Sequence, residues 1–169
     1  MAKQQQLELI MQGANAWNTW RQQNPSEELD LHEADLSNSN LSGANLSRVN
    51  LTGATISGAN LRKADLSWSS LIGADLRKAD VSEANLTGAD LSGADAMEAN
   101  FTRANFTKAV LIDTNFINAD LSDANFVDAD LTGAYLKEAN LRGAFITQTQ
   151  LDKAREPEEL PPPWNSVID

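Results

Sequence analysis

A single imidazole, His32, and no thiol at all narrow the chemistry open to this chain of 169 residues. Serine–histidine–aspartate and cysteine–histidine sets need partners that the sequence does not supply, so nucleophilic catalysis of those kinds is excluded. Carboxylates are plentiful, with 24 Asp and Glu, and two at stacked positions could divide acid and base roles between them. Asp75 and Asp95 are the closest such candidates, although Asp at their position belongs to the local pattern. Metal binding is poorly served, because the acids alternate with amides or bases and no calcium-loop spacing occurs. Gly43, Gly53, Gly58 and Gly73 follow no Walker or dinucleotide pattern and read as corner residues that ease a turn. His32 takes an outward position and reads as a solvated surface side chain. The chain is expected to be non-enzymatic, with no cofactor and no metal.

The residues that could position any site come from one repeat. From Leu29 to Lys153 the sequence recurs every five residues without insertion or deletion, making 25 units. With the apolar centre of each unit as position i, the centres run Leu31, Leu36, Leu41 and onward to Leu151, and Ala96 alone is not Leu, Ile, Val or Phe. Ala occupies i−2 in 19 of 25 units and Asp or Asn occupies i−1 in 19 of 25. The outward pair i+1 and i+2 is usually Ser, Thr or a charge, then Gly or a charge.

A period of five suits neither regular element. In an α-helix each step of five turns the centre by about 140°, which smears the apolar residues around the axis. In a flat strand an odd period sends successive centres to opposite faces. Bending the chain at every unit lets each short segment aim its centre and its Ala inward, so the path closes into a coil.

Charge decides how many units close one turn, because residues one turn apart stack at about 4.8 Å and like charges repel there. At i+2, a spacing of 20 gives five opposite-sign pairs and no like-sign pair: Lys63–Glu83, Glu83–Arg103, Arg103–Asp123, Lys78–Glu98 and Lys108–Asp128. A spacing of 15 gives six like-sign pairs against three opposite ones. Four units per turn therefore fit, giving about six turns and a rod of roughly 30 Å. Ala96 lies one turn below Phe116 in the same column, where the larger ring is expected to fill the space the smaller residue leaves.

The A-(D/N)-L-x-x units of residues 29–153 resemble the pentapeptide-repeat family. That resemblance implies an all-β solenoid, a right-handed quadrilateral β-helix, with the handedness coming from the family alone. Many members have no assigned activity, and a subset acts on DNA gyrase by imitating the shape and charge of a DNA duplex. The stretch WNTWRQQNP, Trp17 to Pro25, is similar to lead-ins of cyanobacterial arrays.

Both ends of such a coil need covering. Residues 1–28 are read as a capping helix and linker, with one amphipathic helix over Leu7 to Gln22 carrying Leu7, Ile10, Met11, Ala14 and Trp17, stopped by Asn24-Pro25. Residues 154–169 form a Pro-rich tail in which Pro157 and Pro161-Pro162-Pro163 rule out a long helix. Two outcomes stay open for it: closure of the edge with Trp164 on apolar surface, or disorder.

The net charge of −11 disfavours nucleic acid and anionic lipid. Met1 to Gln6 lacks an apolar run, so neither a secretory signal nor a membrane span is read, and absence of Cys fits a reducing compartment. A cytoplasmic protein, monomer or weak dimer, is expected. The leading function is a non-catalytic interaction or scaffold module that docks an unidentified protein partner. The alternative is a DNA-mimicking regulator of DNA gyrase or another topoisomerase. Apolar residues at outward positions mark the docking surface: Ile72, Val110 and Ile112 beside the column Gly53, Gly73 and Gly93, extended by Met97 and Ile117. Trp68 is a further candidate, its ring expected to cover Gly88 and to meet Arg48.

Overall fold

The computed structural model describes residues 4–155; the tail from Pro157 to Trp164 lies outside the described residues. Parallel β-bridges join residues 20 apart without exception, from Asp30 with Asn50 to Asn125 with Phe145, so four units close each turn and the ladder runs just under six turns. The fold is a β-helical solenoid whose rungs are single bridged residues separated by tight turns, with no continuous strand among the described residues.

One hydrogen-bond scheme accounts for the repeat. The bridged i−1 residue points its N–H down, as Asn50 N does to Leu29 O (2.9 Å), and the centre points its N–H up, as Leu51 N does to Ser70 O (2.7 Å). A β-turn then closes from i+3 to i, as Ala54 N to Leu51 O (3.0 Å). Asp or Asn is favoured at i−1 because its side-chain oxygen accepts the N–H two residues on, as in Ser37 N to Asp35 Oδ1 (3.0 Å). Amides in the upper turn also donate to the carboxylate or amide below: Asn50 to Asp30, Asn85 to Asp65, Asn100 to Asp80 and Asn140 to Asp120, at 3.1–3.2 Å.

The corner at i+2 is left-handed in each unit from Glu33 to Gly143, with φ between 53° and 76°. Positive φ at i+2 alone is the mark of a type II turn. Gly is the cheapest residue there, yet Lys63, Trp68, Glu98 and Lys108 among others adopt it. The five-residue closure imposes the conformation whatever the side chain, which explains why Gly appears at only some corners.

The centres and most i−2 alanines form a dry column, fully buried from Leu31 to Leu131. Four phenylalanines thicken its upper half. Phe106 and Phe126, one turn apart, stack at 5.0 Å and 8°, and Phe116 meets Phe101 and Phe106 edge-on at 5.6 and 6.0 Å. Ala96 and Phe116, one turn apart in this column, are both fully buried.

The N-terminal segment departs from the single helix expected. It forms α1 (Gln4–Ile10) and α2 (Ala14–Gln23), broken at Gly13, whose φ of 103° no helix accommodates. The break discards part of the expected stripe, since Met11 is 53% exposed while Ile10 and Trp17 are fully buried. Side chains from the pair reach the first turn: Trp17 Nε1 and Arg21 Nη1 donate to Asn45 O at 2.7 and 2.6 Å, and Gln6 Nε2 donates to Glu28 O at 2.7 Å.

The five-residue pattern also outlasts the coil. Its final unit becomes a helical turn, α3 (Gln148–Leu151), because Thr147 and Gln150 form a capping box that nucleates it. Gln150 Nε2 then donates to Phe126 O and Ala129 O at 2.6 and 2.9 Å.

Candidate protein-docking surface

The four faces carry different chemistry, and each can be named by its buried centres. On the face of Leu71, Leu91 and Leu111, Ile72 projects at 42% exposure, whereas Ile112 and Val110 are only half-buried. Val110 is bridged to Asp90 below and Asp130 above, so carboxylates interrupt the apolar row. Gly53, Gly73 and Gly93 line the adjoining corner, and nothing lies within 4 Å of where a Cβ at Gly93 would stand. Met97 and Ile117 are half-buried on the neighbouring face.

Trp68 is 58% exposed and shares a rung with Ile72 across one corner. Its ring lies over Gly88, as expected: a Cβ at Gly88 would stand 2.5 Å from Trp68 Cε3. Arg48 does not complete the arrangement, and among the described residues the cation–ring contact is Arg155 over Tyr135, 4.9 Å from the centroid. Of these residues, Trp68 and Ile72, four apart in the chain, stand exposed, while Val110, Ile112, Met97 and Ile117 are recessed.

A second apolar site escaped the sequence reading. Val127 and Phe145 are 49% and 69% exposed on the face of Phe106 and Phe126. They stand 18 residues apart, the offset at which Asn105 Nδ2 donates to Thr87 Oγ1 (3.0 Å) and Asn125 Nδ2 to Thr107 Oγ1 (3.1 Å) in the turns below. At the top an apolar pair replaces the Asn–Thr pair. A groove of 830 Å³ opens there, lined also by Ile146, Gln150 and Lys153. The signal was present in sequence, since both residues break the polar rule at i+1 and i−1 just as Ile112 and Val110 do.

The residues singled out for reaction chemistry are held in ion pairs. Arg77 lies between the two stacked carboxylates, with Nη2 2.7 Å from Asp75 Oδ2 and Nε 3.7 Å from Asp95 Oδ2. Burial pushes the Asp75 carboxyl up, but the hydrogen bonds and charge of Arg77 outweigh it and hold Asp75 below its ordinary value. For Asp95, which is 8% exposed, burial wins over the Met97 N–H and Arg77, and the carboxyl rises. His32 is not simply solvated, because its Nδ1 sits 2.7 Å from Asp30 Oδ1. Among the described residues no three His, Asp or Glu side chains are grouped to hold a metal, and no helix is long and apolar enough to cross a membrane.

Of the five stacked charge pairs, Lys63–Glu83 (3.5 Å), Lys78–Glu98 (3.6 Å) and Arg103–Asp123 (3.9 Å) are within ion-pair reach. Glu83 turns instead of meeting Arg103 and is shared with Arg62. These pairs lie on the surface and contribute little stability each.

A coil of five-residue units with four sides, polar outside and aliphatic within, defines a class of repeat solenoid. The family model for pentapeptide repeats matches in 8 copies over residues 30–67, 64–103, 99–137 and 119–155, and the chain belongs to that family. Among solved structures it is similar to a pentapeptide repeat protein of the Arabidopsis thaliana thylakoid lumen, at 34% identity over 64% of this chain and 68% of that one, TM-score 0.45. It is also similar to the pentapeptide repeat protein Rfr23 of the cyanobacterium Cyanothece 51142, at 30% identity over 78% and 94% of the two chains, TM-score 0.39. QnrB1, a plasmid-mediated fluoroquinolone resistance protein, matches at 18% identity over 75% and 77%, TM-score 0.37. No curated protein matches the chain.

Proposed function

We propose that this protein is a non-catalytic interaction module that docks another protein on the face bearing Trp68 and Ile72. The observation that carries this reading is their joint exposure, at 58% and 42%, on a coil whose centres from Leu31 to Leu131 and whose inward alanines from Ala34 to Ala134 are sealed. Both stand at outward positions where the repeat elsewhere supplies polar groups, and the Gly73 and Gly93 corner lets a partner backbone approach closely. Exposed, rigidly mounted aromatic and aliphatic side chains are the usual anchors of protein interfaces. The α1–α2 pair serves the module by covering the lower coil end, which would otherwise recruit other edges.

Duplex mimicry accounts less well for the surface. Over residues 29–153 the chain carries 17 acids against 10 bases, a net charge of −7, where a duplex of about 29 Å would present roughly 17 charges of one sign. Asp75, Glu83, Glu98, Asp113 and Asp123 each have a cationic partner. The test is affinity capture with the parent and with the Ile72→Arg/Trp68→Ala variant, with circular dichroism as the folding control. Loss of a specific partner from the folded variant supports the docking face. Retention of every partner, or submicromolar inhibition of gyrase supercoiling by the parent, would overturn the reading.

A further inference from the structure

Among the described residues, three of the five large apolar side chains that stand exposed, Trp68, Val127 and Phe145, border one face, that of the buried centres Leu46, Leu66, Leu86, Phe106 and Phe126. Phe145 continues the bridged column of this face one turn above Asn125. Trp68 stands in its corner column with Arg48, Gly88, Lys108 and Asp128, where the N–H groups of Arg48, Trp68, Gly88 and Lys108 each donate to the turn above.

The charges of this face are few and balanced. Arg48, Asp65, Lys108 and Asp128 sum to zero on a chain of net charge −11, so a second copy meets little repulsion here. On other corners stacked charges pair within the chain, as Lys63–Glu83 and Lys78–Glu98 do. Arg48, Lys108 and Asp128 make no ion pair among the described residues. Unpaired charge of both signs in one column, beside exposed aromatic groups, fits a surface that complements itself.

We propose that this face binds the same face of a second copy, with the two coils antiparallel and a two-fold axis at Gly88. The axis sets the residue two turns below Gly88 opposite the residue two turns above it in the other copy, so Arg48 meets Asp128 of the second copy, twice. The Trp68 ring, which lies over Gly88, meets its counterpart near the axis. Phe145, three turns above Asn85, falls opposite the place one turn below Asn45, where Asn45 and the α2 end leave a hollow of 310 Å³ lined by Asn18, Gln22 and Pro25. Other registers lose the match: with the axis midway between Trp68 and Gly88, Arg48 faces Lys108, and with the axis at Lys108 two lysines meet. The proposal deepens the reading of Trp68 as an anchor and rests on it, while Ile72, on the face of Leu71, stays open to a different protein. The contact spans about 24 Å by 10 Å, five rung steps along the coil and three extended residues across. That is well short of the roughly 800 Å² per partner of a standard interface, so association belongs at roughly tens to hundreds of micromolar.

Sedimentation equilibrium of the full chain up to about 1 mM, a concentration that covers such weak contacts, tests this, with circular dichroism as the folding control. The parent is expected to show a monomer–dimer equilibrium. Asp128→Arg and Arg48→Asp, each setting like charge against like, should weaken it at least about tenfold. The Arg48→Asp/Asp128→Arg exchange should restore it to within about threefold. Positions 48 and 128 lie four turns apart in one chain, about 19 Å, so the restoration cannot arise within a molecule. A parent that stays monomeric throughout would overturn the proposal, as would a dimer indifferent to the single charge reversals or one that the exchange fails to restore. All three variants keep Trp68 and Ile72, so capture of a different protein by them tests the docking reading separately from self-association.

Discussion

Trp68 and Gly88, one turn apart on the same corner, share one volume: the indole fills the space a side chain at Gly88 would need, with Cε3 2.5 Å from the position of its Cβ. Gly88→Ala therefore combines a clash with an unfavourable left-handed backbone (φ 66°) and should destabilise by about 2 kcal/mol or more. In urea denaturation the Trp68→Ala/Gly88→Ala double variant should recover the clash component. Additive single effects would mean that the ring moves aside freely.

Corner strain can be isolated where no clash exists. Gly93 has φ 64° and nothing within 4 Å of a new Cβ, so Gly93→Ala should cost about 1 kcal/mol from conformation alone. Lys108 holds φ 60° with a full side chain, and Lys108→Gly should stabilise by about 0.5 kcal/mol, the left-handed penalty removed less the added chain entropy. Thermal or urea unfolding of both variants reads the two signs.

Asp95 should make stability fall as pH rises. Its folded carboxyl lies above the ordinary value of 3.8 because burial disfavours the charge, so its folded form is favoured most below the unfolded value and loses that advantage as pH climbs through the raised one. Asp75, held low by Arg77, acts in the opposite sense. Asp95→Asn keeps an oxygen for Met97 N and Asn115 Nδ2, and columns such as Asn40–Asn60 show that stacked amides fit. The variant should be more stable than the parent at pH 7, by up to about 1 kcal/mol, with the advantage vanishing below about pH 3.5. An advantage that does not depend on pH would refute the burial account.

The lower end depends on Trp17, which is fully buried and donates to Asn45 O at 2.7 Å. Trp17→Ala should cost about 3–5 kcal/mol, with early hydrogen exchange in the first turn. A chain lacking residues 1–24 should aggregate, because the acceptor-rich edge is then uncovered. A truncated chain as soluble and heat-stable as the parent would remove the covering role.

Much of the fold was legible because the repeat is unbroken. The impossibility of a five-residue period in helix or strand forces a coil, and charge alternation at 20 residues counts its sides, which the bridges reproduce. Gly13 was visible in the sequence, yet the apolar stripe around it read as continuous; only a backbone turned at φ 103° separates Ile10 from the second helix. The end of the coil was misplaced for a similar reason, since Leu151 keeps the period while Thr147 and Gln150 cap a helical turn.

The candidate surface was legible in membership and not in relief. Sequence by itself determined the period, the four-sided closure, the inward centres and the outward apolar residues, because each follows from spacing and side-chain character along one chain. Only the tertiary structure decided that Ile72 and Trp68 stand clear while Val110 and Ile112 are recessed, that Arg77 binds both Asp75 and Asp95, and that Val127 meets the open upper groove with Phe145. Exposure and pairing at each position depend on neighbours 18 to 21 residues away in the adjoining turns, and those neighbours are set by how the turns stack.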